Sequence, residues 1–362
     1  MSESFDIAVV GSGAAGIAAA VCAARAGCST LLLDRNNSAG GTGGFSGLTT
    51  LCGLFDGAGT YLNDGFSREF AEALAERRPP VKMGRTWVLL YRPENFRAAA
   101  GKFLAAEPKL QTRWNTPLEN VVVRANRIAS LNGIEVGAVI DCSGVAEAGR
   151  AAVEQLLATD DTTQAPSVIF PLEKVKLDLN SPLAIAQILS ALASAGLQSV
   201  SFMPGCDAGI TSVKFAGPPA QVPALLEFLR RHVPGFERCR TAQTEFHIAR
   251  RAGAMIVGRY LLTGDDVLGA RKFPDAAARG NWPVEQWSAD GKQRLRYLSP
   301  NEYYEIPARA LQAARTENLF MAGKSLSADT DAIASARVMG CCLATGAAAG
   351  NLAAKYLQSS RT

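Results

Sequence analysis

The chain has 362 residues, 48% of them hydrophobic, and a formal net charge of +4. This is enough apolar material for one large or two ordinary domains, and it excludes a disordered chain. So small a charge, with no basic block interleaved with aromatics, argues against nucleic-acid binding.

The opening stretch MSESFDIAVVGSG runs almost directly into a strand without a charged-then-apolar leader, so we expect an unprocessed, cytoplasmic protein. No apolar run reaches the roughly 20 residues of a membrane span without interruption, and no membrane partner is expected. Eight cysteines are scattered without CxxC or zinc spacing, which reads as reduced thiols. Only two histidines, His232 and His247, are present. No metal site is expected.

FDIAVVGSGAAGIAAAVCAARAGCSTLLLDR reads as strand, tight turn, helix, strand. The apolar run Ile7 to Val10 suits a parallel strand buried on both faces. Gly11, Gly13 and Gly16 form GxGxxG: the first allows the turn, the second lets a pyrophosphate touch the backbone, and the third lets helix and strand pack closely. A helix from about Ala14 to Ala26 would point its first N–H groups, at Ala14 and Ala15, toward phosphate. A second strand, Ser29 to Leu33, ends at Asp34. That acid stands 23 residues after Gly11, close to the ~20-residue spacing of a carboxylate that bonds a ribose diol. Arg35 follows it. Together these features predict dinucleotide binding.

The next stretch, SAGGTGGFSGLTTLCG from Ser38 to Gly53, holds six glycines in sixteen residues. An NAD domain would continue with ordinary alternating strands and helices. Further on, GIEVGAVIDCSG (Gly133 to Gly144) reads as a strand returning to the same sheet and ending in a small-residue turn. ENLFMAGKSLSADTDAIASARVMGCCLATGAAAG (Glu317 to Gly350) reads as a last strand, a turn and one long small-residue helix.

These segments, with IVGRYLLTGDDVLGARKFPDAAARGNWPVE and YEIPARAL, resemble the bacterial family of FAD-dependent oxidoreductases, within the two-dinucleotide-fold flavoproteins. The resemblance implies FAD as cofactor and an α/β fold: a Rossmann-like, glutathione-reductase-like FAD-binding domain with an inserted α+β substrate domain. The expected limits are 1–160 and 246–362 for the FAD domain and 161–245 for the insert. The resemblance also implies that the glycine stretch runs along the ribityl chain, through Gly40, Gly41, Thr42, Gly44 and Ser46. It places Val122, Ser143, Gly144, Gly323 and Lys324 at the cofactor. The family commonly has an arginine where this chain has Lys324. A helix starting near Asp331 or Ala332, and carrying Ser335, is expected to aim its N-terminus at the flavin and stabilise negative charge there. Arg337 lies in that helix, with a salt bridge or phosphate contact as alternatives to a flavin role.

Within the expected insert, SVIFPLEKVKLDL and SVSFMPGCDAGITSVKFAG alternate apolar and polar residues as strands do, the second forming a hairpin across PGCDAG. SPLAIAQILSALASAG reads as a helix capped by Ser181, with Pro182 first and Gly196 as its stop. PAQVPALLEFLRRHVPGF is a second, amphipathic helix. No second GxGxxG occurs, and Gly43 and Gly44 stand where disulfide reductases carry a redox cysteine, which argues against a dithiol mechanism.

Candidates for chemistry are His247, Arg250 and Arg251 in EFHIARRAG, which would bind a carboxylate or polarise a carbonyl; Tyr303 and Tyr304; and Cys52. The ordinary alternatives are a hydrogen-bonded structural histidine, aromatic packing and an inert buried thiol. The expected function is a dehydrogenase or oxidase that moves a hydride between a substrate C–H and the flavin. Alternatives are a monooxygenase using NAD(P)H and O2, or a flavoprotein acting on a protein or peptide partner. A small-molecule substrate is the first expectation.

Overall fold

Four consecutive apolar residues, Ile7 to Val10, are at most 3% exposed and form the inner half of the strand Ser4–Val10. The backbone N–H and C=O groups of a buried strand need a hydrogen-bonding neighbour along each edge. Thr30–Leu33 and Ile134–Asp141 flank it, both parallel. Leu110–Arg113 extends the sheet beyond Thr30–Leu33, and Leu319–Met321 adds a parallel strand to Ile134–Asp141. The hairpin Val121–Arg124 and Arg127–Leu131 joins antiparallel at the start of Ile134–Asp141. This is a mixed α/β fold with a Rossmann-like parallel sheet. The computed structural model describes residues 3–159, 164–176, 181–197, 200–207, 209–243, 246, 248–288 and 293–360.

The turn after the first strand needs its glycines. Gly11 has φ +94°, and a Cβ there would lie 2.7 Å from the Cys142 carbonyl oxygen; one on Gly16 would lie 1.7 Å from the Gly11 carbonyl oxygen. The helix that follows, Ala14–Arg25, is buried along almost its whole length. It packs against Met339–Ser359, and small residues let the two backbones nearly touch. A Cβ on Gly346 would sit 2.1 Å from Ala15 O, and one on Gly350 2.5 Å from Ala19 O. Such contacts maximise dispersion but leave no slack for an added methyl group.

A second, antiparallel sheet has the order Val200–Pro204, Ile210–Phe215, Ser167–Glu173, Ile248–Ala249. Its hairpin falls where PGCDAG suggested, although Ala208 lies outside the described residues. The helices Pro182–Ser194 and Val222–His232 cover it, and Ile188, Leu192, Leu225 and Leu229 share a core with Val168, Phe170 and Val213. A further hairpin, Val284–Trp287 with Gln293–Arg296, was not anticipated from sequence.

One expectation needs correction. The long helix foreseen from Asp331 is two helices, Thr330–Ala336 and Met339–Ser359, bent by 96° at Arg337 and Val338. Neither proline nor glycine stands at the break. Tertiary contact accounts for it: the Gly340 backbone lies against Gly53, where a Cβ would be 2.4 Å from the Gly53 carbonyl carbon. Within the glycine stretch, Gly41–Phe45 forms a short helical turn. Among the described residues no single helix is long and apolar enough to cross a membrane.

Candidate functional site

The parallel sheet, the glycine stretch and the second sheet enclose one cavity of about 740 Å³. Its first end is lined by Val10 to Ala15, Asp34 to Asn36, Gly41 to Gly43, Ser143, Gly144, Gly323 and Lys324. The helix Ala14–Arg25 begins there with Gly13 as N-cap and no side-chain cap, so its first N–H groups have no side-chain acceptor. A Cβ on Gly13 would meet nothing within 4 Å, because that position faces open space. An uncapped helix start beside a glycine that opens on a cavity is the arrangement that receives a pyrophosphate. Asp34 is 8% exposed and lines the same end. One of its oxygens accepts from Ser12 N and Ser12 Oγ, each at 2.6 Å, and the other from Asn36 N and Nδ2, each at 2.8 Å. The acid therefore ties the turn together, and a ribose hydroxyl would compete with the Ser12 hydroxyl for it. Arg35 pairs with Glu147 at the rim.

The glycine stretch contributes Gly41, Thr42 and Gly43 to the lining, but not Gly40, Gly44 or Ser46. Its glycines are needed mainly for protein contacts. A Cβ on Gly41 would lie 2.8 Å from Gly13 Cα, one on Gly43 2.5 Å from the Phe96 ring, and one on Gly44 2.8 Å from Arg97 Cγ. At least three of these glycines thus avoid collision with the protein itself, while Gly41 and Gly43 also line the cavity.

The other end of the cavity is lined by Cys52, Ser167, Phe202, Met203, Lys214, Arg250, Arg251, Trp282, Glu285, Trp287, Tyr297 and Arg337. Here charge is concentrated. Lys214 Nζ stands 3.5 Å from Glu285 Oε1 and 3.8 Å from the centroid of the Trp287 ring. The Arg251 guanidinium lies 4.9 Å from the same centroid, bonds Ser167 Oγ at 3.0 Å and also donates to Ala165 O. Arg337 donates to Gln164 Oε1 at 2.8 Å, while its Nε, buried, has no acceptor. Glu285 accepts from the indole N–H of Trp282 at 2.8 Å, that of Trp287 at 2.6 Å and Gln293 Nε2 at 3.2 Å.

Burial pushes Lys214 down to about 7; the neighbouring Glu285 works against that shift, and Arg251 and Arg337 add to it. Burial also brings Arg251 down to about 10, helped by Arg337. For Glu285 burial acts to raise the pKa, but Lys214, Arg337 and the two indoles overcome it and hold the group at about 2. The Cys52 thiol is pushed up to about 12 by burial and is a neutral thiol at neutral pH. A thiolate role for Cys52 is disfavoured, as is one for Cys341 and Cys342, also near 12 through burial.

Several candidates fall elsewhere. Tyr304 is fully buried and bonds Ser335 Oγ at 2.8 Å, away from the cavity. Asp331 accepts from Gln286 Nε2 at 2.7 Å and pairs with Arg296, so it and Ala332 belong to a structural helix start rather than to the lining. The helix start that does reach the cavity is that of Met339–Ser359, through Val338 and Met339. Val122 lies in the edge hairpin and Gly16 behind the turn. His247 lies outside the described residues. Lys214, Glu285 and Trp287 were missed from sequence. They sit on two hairpins; Glu285 ends the stretch IVGRYLLTGDDVLGARKFPDAAARGNWPVE, but nothing local marks its charge partner Lys214 or Trp287.

Residues 6–204 and 206–362 match the model of the FAD dependent oxidoreductase family. Similar solved structures include a geranylgeranyl bacteriochlorophyll reductase-like protein from Thermoplasma acidophilum, at 15% identity over 99% of this chain and 80% of that one, with a TM-score of 0.51. GidA from Aquifex aeolicus is 12% identical over 99% of this chain and 64% of that one, with a TM-score of 0.51. A triple mutant of the flavin-dependent brominase Bmp2 is 12% identical over 98% and 81%, with a TM-score of 0.52. At these identities the likeness is one of fold. No curated protein matches the chain. With a family model spanning nearly every residue, and a cavity whose first end suits a dinucleotide, the chain belongs to the FAD-dependent oxidoreductases: it is an enzyme, and FAD is its cofactor.

Proposed function

We propose that the chain is a dehydrogenase or oxidase of a small molecule, with the cofactor at the first end of the cavity and the substrate at the second. The carrying observation is that one continuous space joins the GxGxxG turn to the Lys214, Arg251, Glu285 and Arg337 cluster. When bound, FAD supplies a two-electron acceptor for a hydride from a substrate C–H bond.

The N–H groups at Gly13 to Ala15 would hold the pyrophosphate, and Asp34 the ribose, in exchange for its bond to Ser12. The Gly41 to Gly43 turn, Ser143, Gly144, Gly323 and Lys324 would run beside the rest of the molecule. Trp282, Trp287, Tyr297 and Phe202 exclude water from the second end, which strengthens every charge interaction there. Lys214, drawn down to about 7, is the side chain best suited to take or return a proton near neutral pH.

In this reading the FAD domain is glutathione-reductase-like and comprises residues 1–160 and 246–362. Residues 161–245, with their own core of Val168, Phe170, Leu192 and Leu229, form the inserted substrate domain. Scattered cysteines without CxxC spacing support a reducing, cytoplasmic setting.

The test is a visible absorbance spectrum of the purified protein, release of FAD on denaturation, and anaerobic mixing with candidate substrates. A yellow protein bleached by a substrate without NAD(P)H is the expected result. A colourless protein that cannot be reconstituted, or one bleached by NAD(P)H alone, overturns the reading.

A further inference from the structure

We propose that the second end of the cavity is built for a substrate that carries a carboxylate on an apolar body, gripped by Arg251 and Lys214 with Arg337 behind them. This rests on the reading that this end is the substrate site.

Three largely buried cationic side chains, Lys214, Arg251 and Arg337, with the exposed Arg250 beside them, share the space with one carboxylate. Glu285 cannot neutralise them all. Its Oε1 accepts from Trp287 and Gln293 and is approached by Lys214, and its Oε2 accepts from Trp282, so most of its acceptor capacity is used within the protein. Enclosed charge of one sign without a counter-ion is strongly unfavourable, and proteins normally pair it. The second observation is Arg337, whose buried Nε has no acceptor in the protein. Arg251 has two of a guanidinium's five N–H groups engaged, with Ala165 O and Ser167 Oγ. The remaining donors form a fork that matches two carboxylate oxygens.

The walls set the rest of the ligand. Trp282, Trp287, Tyr297, Phe202 and Met203 line the same end, so the group attached to the carboxylate is apolar and preferably flat. The depressed pKa of Lys214 fits a site whose charge is completed by the ligand: an arriving anion would draw a proton back onto the amine. A cluster that served only to steady Glu285 would not need three cations around one acid.

The test uses the FAD-loaded protein and two probe pairs, benzoate against benzamide and hexanoate against hexanamide. Each is titrated while the visible spectrum of the bound flavin and the heat of binding are followed. We expect at least one carboxylate to bind tenfold or more tightly than its amide, and Arg251→Met to abolish that preference. Arg251→Lys should retain part of it. Where Arg251→Met does not fold, Lys214→Met is the second variant, with a loss of at least threefold in the preference. A yellow protein in which neither carboxylate outbinds its amide overturns the proposal while leaving the functional reading intact. A colourless protein overturns that reading; the same titration by calorimetry then still decides the anion site.

Discussion

Lys214 Nζ and Glu285 Oε1 face each other at 3.5 Å across the inner end of the cavity, one from the strand Ile210–Phe215 and the other from the strand Val284–Trp287. The pair ties the second sheet to a hairpin that is distant in sequence. Two further cations, Arg251 and Arg337, bias it, so the lysine rather than the carboxylate titrates near neutrality.

Carboxylate binding should weaken as pH rises through about 7. The protonated amine attracts the anion and the neutral amine does not, so affinity is full below that pH and declines above it, by up to about tenfold per pH unit over the range the bound ligand sets. The other facing groups hold their state across this range: Glu285 is ionised, Arg251 is charged and Cys52 is neutral. Benzoate dissociation constants between pH 6 and 9 check this, and Lys214→Met should flatten the curve.

Glu285→Gln should destabilise the fold by about 3–5 kcal/mol, because it leaves three buried cations without a carboxylate. Urea denaturation measures the loss. The native acid has the usual sign for a lowered carboxyl: its stabilising contribution is present above the ordinary value of 4.5 and disappears as pH falls through about 2. Benzoate should restore the melting temperature of Glu285→Gln more than it raises that of the native protein.

Gly13→Ala and Gly346→Ala should separate cofactor binding from folding. The added methyl at position 13 meets no protein atom, so the apoprotein should keep its stability within about 1 kcal/mol while FAD content falls. At position 346 the methyl would meet Ala15 O at 2.1 Å, and a loss of about 1–3 kcal/mol is expected from overpacking. The ratio of visible to ultraviolet absorbance and the apoprotein melting temperature report the two effects.

Cys52 should resist iodoacetamide in the folded protein at mildly alkaline pH, since burial holds its thiol up near 12 and little thiolate exists. Mass spectrometry before and after unfolding tests this. Rapid labelling in the folded state would show a thiolate there and reopen a nucleophilic role.

The dinucleotide half of the molecule was legible because its requirements are local. The run Ile7 to Val10, the three glycines, the alanine helix and Asp34 each do their work within a turn or two of their neighbours. The structure has the strands Ser4–Val10 and Thr30–Leu33 and the helix Ala14–Arg25 close to where sequence placed them. Spacing alone predicts such a unit, since steric limits on the turn leave few choices of residue.

Other features depended on distant partners. The break at Arg337 and Val338 goes with the close approach of Gly340 to Gly53, a partner that the local sequence does not reveal. Tyr304 and Ser335 bond each other, and Asp331 bonds Gln286 and Arg296, instead of facing the cavity. By itself the sequence determined the cofactor turn, the parallel sheet that carries it and the small-residue helix behind it. Only the tertiary structure decided that Lys214, Arg251, Glu285 and Arg337 share one enclosed space. The reason is physical: a charge acquires its pKa and its partner from burial and neighbours, and both are set by chain segments that meet only after folding.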